Sequence, residues 1–258
     1  MEIKGTCDEK FKPLSDILSA QLDSGDDLGA SVALVIEGEP VVDIWGGWAD
    51  EARTVPWEEN TITNVWSTTK TMVALSALLL VTLVCAVYAP YLANAYVFDD
   101  LNLFNGLTLY DFATQLWRTQ IRWLSYATLA HSFVLSDGSI VVLRLGNLLL
   151  HAANAVAAFV LLRELLGAAS DRGIKAVGEP SRASRLALAG AALFAAHPVA
   201  VYGVGYLVQR SILMSTLFML LMLIAWLRWL TSGRNALWMA SAAWYLLSVF
   251  SKEHSVLA

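Results

Sequence analysis

Ser67 and Lys70 stand three residues apart in Ser67-Thr68-Thr69-Lys70, directly ahead of a long apolar stretch. On a helix this spacing puts a hydroxyl and an amine on one face. A neutral lysine there takes the serine proton and leaves a nucleophile for acyl transfer. Taken alone, the same four residues are more often simply the polar first turn of a helix. A second pair is Asp99–Asp100, flanked by the apolar Tyr96, Val97, Phe98 and Leu101. A carboxylate in such surroundings has its pKa raised and becomes a base toward a hydroxyl acceptor, although two adjacent aspartates also mark a solvated loop. Arg122, Arg210 and Lys252 carry the fork and point charges that suit a phosphate. Near helix ends the same side chains snorkel to the interface. His197, ahead of Pro198, sits where a helix breaks, either as a substrate contact or as a buried structural histidine. His151 and Asn154 lie in the middle of an apolar run and are expected to hold helices together.

The composition divides these residues between two unlike regions. Residues 1–70 hold 14 Asp/Glu against 5 Lys/Arg, a charge of −9, whereas residues 71–258 hold 8 against 12, a charge of +4. Between Lys70 and Asp99 lie 28 consecutive residues without a charge. A hydrophobic fraction of 57% with 15% charged residues is too apolar for an ordinary soluble domain. A soluble core helix needs about 14 apolar residues, whereas crossing roughly 30 Å of hydrocarbon takes about 20. No basic stripe with interleaved aromatics points to nucleic acid. Cys7 and Cys85 build neither a disulfide framework nor a metal motif, and no cofactor is expected.

Residues 10–24 place Phe11, Leu14, Ile17, Leu18 and Leu22 at helical spacing, ended by Gly25. Ser31–Ile36 and Val41–Trp45, joined by Glu37-Gly38-Glu39-Pro40, read as a hairpin, and the stretch from Gly46 to Asn60 as loop. Membrane spans are expected at about 72–93, 139–166, 186–206 (broken at His197-Pro198), 212–230 and 236–250, with a polar loop over 94–106. Residues 107–130 read as one helix lying in the interface. Arg163, Arg172, Lys175, Arg182 and Arg185 cluster around one loop, and Arg228 and Arg234 flank another. By the positive-inside rule these loops and the N-terminus are cytoplasmic. The N-terminus lacks the apolar core of a secretory signal.

Two resemblances follow from longer stretches. The hairpin GASVALVIEGEPVVDIWGGWAD followed by TITNVWSTTKTMVALSALLL resembles the amino-terminal part of the serine β-lactamase-like esterases related to class C β-lactamases, over about residues 8–80. This implies Ser67 as nucleophile and Lys70 as its base partner. The tyrosine motif and late Lys- or His-Thr-Gly strand of that family do not follow, so the expectation is a segment of low stability without hydrolysis. Residues 82–258 resemble the membrane part of GT-C-type glycosyltransferases, specifically transmembrane proteins with tetratricopeptide repeats related to protein O-mannosyltransferases. The pieces that carry this are YAPYLANAYVFDDLNLF, RWLSYATLAHSF, GNLLLHAANAVAAFVLLRELL, FAAHPVAVYGVGYLVQRSILMSTLFMLL and LLSVFSKEH. The resemblance implies Asp99 or Asp100 as catalytic base and a polyprenyl-phosphate-linked sugar as donor. Arg122, Arg210 and Lys252 would then face the donor phosphate, with membrane lipid as the other partner. Many relatives carry a second His and a Glu where this chain has Ala200 and Tyr202.

The expected architecture is mainly α. A polytopic membrane helix bundle of about five spans, GT-C-like and incomplete, occupies residues 76–258, after a small α+β fragment over 1–75. The expected function is that of a membrane glycosyltransferase, inactive in this form, in a bacterial inner membrane. The alternatives are a serine hydrolase using Ser67 and Lys70, or a non-catalytic chimera joined near Leu80–Thr82.

Overall fold

The computed structural model describes residues 1–63, 68–105, 108–114, 122–173 and 180–257. The chain is mainly helical with a small antiparallel sheet near its N-terminus. It divides into two compact units, Met1–Thr69 and Lys70–Ala258.

In the first unit, strands β1 (Lys4–Cys7), β2 (Gly29–Ile36) and β3 (Glu39–Gly47) form a sheet in the order β1-β3-β2. Both pairings are antiparallel, with Lys4 opposite Trp45 and Val32 opposite Ile44. The hairpin between β2 and β3 closes through Glu37 (φ 54°) and Gly38 (φ 90°). Two left-handed residues in succession match the right-handed twist of the flanking strands. Helix α1 (Lys12–Ser24) ends on Gly25 at φ 80°, the left-handed cap that glycine adopts without a steric penalty. Its Leu18 and Leu22 pack on Val42 and Ile44 of β3 to make a small core. The helix and hairpin expected from periodicity are both present. Strand β1 has no apolar alternation, so its pairing to β3 is decided by the sheet. The stretch after β3 is more ordered than a plain loop. Asp50 accepts hydrogen bonds from the Thr54 N–H (2.9 Å), the Thr54 hydroxyl (2.6 Å) and the Val55 N–H (2.7 Å). These bonds, the Thr54 hydroxyl foremost, hold its carboxyl below the usual range. Trp48 bridges to Pro56, and the Trp57 N–H donates to the Gly47 carbonyl (2.9 Å).

In the second unit, α2 (Thr68–Tyr88) is followed by α3 (Asp100–Asn105), α4 (Thr108–Thr114), α5 (Trp123–Leu135) and α6 (Ile140–Asp171). After these come α7 (Pro180–Ala196), α8 (Ala200–Gly205), α9 (Arg210–Ser232) and α10 (Asn235–Ser251). The centre is α6, which packs against α7 and α9, and α10 runs along α9. Ala187, Ala191 and Ala195 line one face of α7 at intervals of four. With Ala152, Ala155 and Phe159 of α6 they form a close-packed cluster that also takes Leu80, Val84 and Tyr88 of α2. Small residues let helix backbones approach where the surroundings give no hydrophobic drive to association.

Among the described residues, three helical stretches are long and apolar enough to cross a membrane: Lys70–Tyr91, Ile140–Asp171 and Leu207–Ser232. This corrects the expectation of about five. α7 and α10 have 17 residues each, a rise of about 25 Å at 1.5 Å per residue, short of roughly 30 Å of hydrocarbon. α7 also stops at His197-Pro198, and only the short α8 continues it. The interfacial helix expected over 107–130 is instead α4 and α5; residues 115–121 lie outside the described residues, and Arg122 has φ 70°. The expected polar loop at 94–106 contains α3, and α6 runs five residues beyond Leu166.

Candidate functional site

The Ser67–Lys70 motif sits at the sequence start of α2. Ser67 lies outside the described residues, and Lys70 is exposed. The order of the elements is hairpin, a turn-rich segment clamped by Asp50, then an apolar helix beginning at Thr68.

The second group of candidates belongs to the helical unit, where each member is engaged by other side chains or by backbone and none bonds another candidate among the described contacts. Asp100 is fully buried. Its two carboxylate oxygens accept the N–H groups of Leu207 (3.2 Å) and Val208 (3.1 Å), capping the turn that leads into α9. Burial pushes its pKa up, against these two hydrogen bonds and the charge of Arg144. Asp99 is exposed and accepts the Tyr206 hydroxyl at 2.7 Å. Burial, reinforced by that carboxylate, pushes the Tyr206 phenol up to about 12.

Arg210 is buried and fully employed. It donates through Nε to Asn147 Oδ1 (2.8 Å), through Nη1 to the Thr128 carbonyl (3.1 Å) and the Ser132 hydroxyl (2.9 Å), and through Nη2 to the Leu143 carbonyl (2.8 Å). Arg122 forms a forked pair with Glu253, its Nε at 2.7 Å from Oε2 and its Nη2 on Oε1. Lys252 is buried, with Nζ 3.4 Å from Gln209 Oε1. Burial lowers its pKa, and the nearby Arg122 adds to this. His197 is exposed. Its Nδ1 accepts the Val199 N–H (3.2 Å) and its carbonyl accepts the Tyr88 hydroxyl (3.1 Å), so it shapes the break between α7 and α8.

Two side chains of comparable weight escaped notice as a site. Arg144 is buried, and its guanidinium donates to the carbonyls of Gly205 (3.0 Å), Leu92 (3.3 Å), Asn94 and Ala95 (2.5 Å). Asn147 donates to the Gly203 carbonyl (3.1 Å) while accepting Arg210. The sequence signal was the spacing of Arg144, Asn147, His151 and Asn154, which recur at three, four and three residues along one face of α6. His151 Nε2 lies 3.0 Å from the Ala195 carbonyl, and Asn154 donates to the Leu213 carbonyl (2.9 Å). Both therefore hold helices together, as expected of polar groups inside such a bundle.

The Arg122–Glu253 pair has a pH consequence. The hydrogen bonds from Arg122 hold the Glu253 carboxyl down at about 2, below its unfolded value of about 4.5. Its contribution is therefore present above about pH 4.5 and is lost as pH falls through about 2. Both side chains are 36% exposed, so solvent screening limits the contribution to about 1 kcal/mol. Glu253→Gln is expected to lower stability by at most that amount at pH 7, and by progressively less as pH falls through about 2, read from unfolding midpoints in detergent.

A β-lactamase family model matches residues 14–83 of the chain. The esterase/β-lactamase LipL of Mycobacterium tuberculosis is 48% identical over 46 residues, which covers 18% of this chain and 11% of LipL. A crystal structure of a family VIII carboxylesterase is 36% identical with a TM-score of 0.30, covering 44% of this chain and 27% of that one. The chain thus spans about a tenth of the length of the curated relative it matches. These likenesses are to β-lactamase-type hydrolases and correct the expectation of a glycosyltransferase. The roles given to Asp99, Asp100, Arg122, Arg210 and Lys252 in sugar transfer fall with that function.

Proposed function

We propose that residues 14–83 are the nucleophile-bearing part of a serine hydrolase of the β-lactamase and esterase type, carried on a membrane-embedded helical unit. Ser67 attacks the acyl carbon of a small ester, and Lys70, in its neutral form, takes the hydroxyl proton. The alcohol leaves, and water then releases the acyl group from Ser67. The observation that carries this reading is the family match over residues 14–83, which runs through Ser67-Thr-Thr-Lys70 into α2.

The test is covalent labelling of the full chain in detergent with a fluorophosphonate. The labelled peptide is expected to contain Ser67, and Ser67→Ala to abolish both labelling and p-nitrophenyl ester turnover. Lys70→Ala is expected to slow labelling about 100-fold, the lower end of what a general base contributes. An unlabelled native chain, or labelling that survives Ser67→Ala, refutes the proposal.

The helical unit is read as integral to a bacterial cytoplasmic membrane. Arg144, near the start of α6, bonds the end of α8, and Arg228, near the end of α9, pairs with Glu164, near the end of α6 (2.6 Å). The chain therefore runs up and down through this unit, gathering Arg163, Arg172, Arg182, Arg185, Arg228 and Arg234 toward one end. The positive-inside rule makes that end, and with it the start of α2, cytoplasmic.

A further inference from the structure

At the end of the helical unit opposite those arginines there is a cavity of about 190 Å3 walled by aromatic rings. Tyr88 and Tyr91 come from the end of α2, Phe98 from the turn before α3, and Tyr202 and Tyr206 from α8 and the residue after it. Three of these rings make a corner. Tyr202 and Tyr206 stand at 85° to one another with centroids 5.4 Å apart, while Phe98 lies 6.1 Å from Tyr202 and 5.7 Å from Tyr206. Phe98 reaches this position with φ 51°, a region that bulky residues rarely occupy. Its ring stays 68% exposed, and Tyr202 is 49% exposed. Burial of these two rings therefore does not explain their arrangement.

Asp99, anchored by the Tyr206 hydroxyl, and Asp100 both belong to the adjoining turn. Among the residues lining the cavity the cation is Arg144, whose guanidinium is already occupied by four backbone carbonyls. Ring faces carry negative potential and attract a cation within about 6 Å of their centroids, most strongly where several faces converge. Pockets for drug-sized ligands run to roughly 300–1,000 Å3, so this one suits something smaller.

We propose that this cavity binds a quaternary ammonium group, held against the rings of Phe98, Tyr202 and Tyr206, with the Asp99 carboxylate bonded to the Tyr206 hydroxyl behind them. The site is separate from Ser67 and does not depend on the hydrolase reading. An ammonium of this kind comes either from a choline-bearing lipid headgroup or from a free small cation.

The experiment is titration of the full chain in phosphatidylglycerol nanodiscs with tetramethylammonium and with choline, followed by saturation-transfer NMR. Binding of both is expected. The uncharged isostere 3,3-dimethyl-1-butanol is expected to bind at least about tenfold more weakly, because the attraction is electrostatic. Tyr202→Leu and Phe98→Leu, both at exposed positions, are each expected to weaken choline binding about tenfold, Tyr202→Phe to leave it within about threefold, and Asp99→Asn to weaken it severalfold. An unchanged unfolding midpoint in each variant excludes a folding defect as the cause. Equal binding of the neutral isostere, no binding at millimolar concentration, or indifference to both ring substitutions overturns the proposal. Nanodiscs containing phosphatidylcholine separate the sources. A loss of apparent choline affinity there identifies the lipid headgroup as occupant, and an unchanged affinity identifies the free cation.

Discussion

Arg210→Ala is expected to lower the stability of the helical unit by about 3–5 kcal/mol, measured as a shift of the unfolding equilibrium in a detergent titration. The side chain is buried and supplies four hydrogen bonds, to Asn147, Thr128, Ser132 and Leu143, so it ties α9 to both α5 and α6. Removing it takes the Arg210 donor from the Asn147 amide oxygen and one donor each from the Ser132 hydroxyl and the Thr128 and Leu143 carbonyls, the Thr128 carbonyl keeping the Ser132 hydroxyl (2.8 Å), and a buried acceptor left unsatisfied costs about 1–3 kcal/mol. Hydrogen bonds inside membrane proteins average nearer 0.6 kcal/mol, which keeps the sum at the lower end. Arg210→Lys is expected to recover less than half of the loss, because one ammonium cannot reproduce a planar fork aimed at four acceptors on two helices. Gly146 provides the complementary constraint. A Cβ at that position would stand 2.7 Å from Arg210 Nη2, so the close approach of α6 depends on the missing side chain. If Arg210→Ala shifts the equilibrium by less than about 1 kcal/mol, the buried network is not what holds α9 in place.

Gly47→Ala is expected to open the N-terminal sheet, whereas Gly38→Ala, at an equally unfavourable backbone angle, is expected to weaken it only modestly. Both glycines have left-handed φ, 87° and 90° respectively, which costs an L-residue about 1–2 kcal/mol. The difference lies in the space around them. A Cβ at Gly38 meets nothing within 4 Å. At Gly47 it would strike the Leu28 carbonyl oxygen, the Gly29 Cα at 2.7 Å and Leu22 Cδ2 at 2.8 Å. The first two are backbone of the paired strand and its approach, so the clash is relieved only by parting β2 from β3. A unit of this size rarely has more than about 3–5 kcal/mol of net stability, so the combined penalty consumes most of it. Amide hydrogen exchange in the intact chain is the measurement. Protection across Ala30–Leu34 should collapse in Gly47→Ala and persist in Gly38→Ala. Equal loss in both would mean that backbone angle alone, and not the close approach, governs this sheet.

The two candidate sites differed in how far they could be read from residue types. Ser67 and Lys70 are a local pattern, three residues apart in the chain, and local patterns survive without knowledge of the fold. The cluster around Asp99 and Asp100 is non-local. Adjacent carboxylates between apolar residues drew attention to a polar group in costly surroundings, and Asp100 is indeed buried. The chemistry inferred for them needed free carboxylates and free cations. The fold instead sets the N–H groups of Leu207 and Val208 against Asp100, Glu253 against Arg122, and four acceptors around Arg210. A charge buried in such a unit is tolerated only when its partners are supplied, and those partners lie 107 residues along the chain for Asp100 and 131 for Arg122.

Residue order alone determined that an acidic, hairpin-bearing segment precedes long apolar helices, that Gly25 ends α1, and that a helix breaks at His197-Pro198. Each of these rests on a short-range property: apolar spacing, run length, or the dihedral limits of glycine and proline. Tertiary structure decided that β1 joins the sheet, that among the described residues three helices rather than five reach membrane length, and that Phe98, Tyr202 and Tyr206 meet at one corner. Those outcomes depend on which groups are brought within a few ångströms by the packing of α6 against α7 and α9. Contact between distant segments has no signature in the spacing of either one.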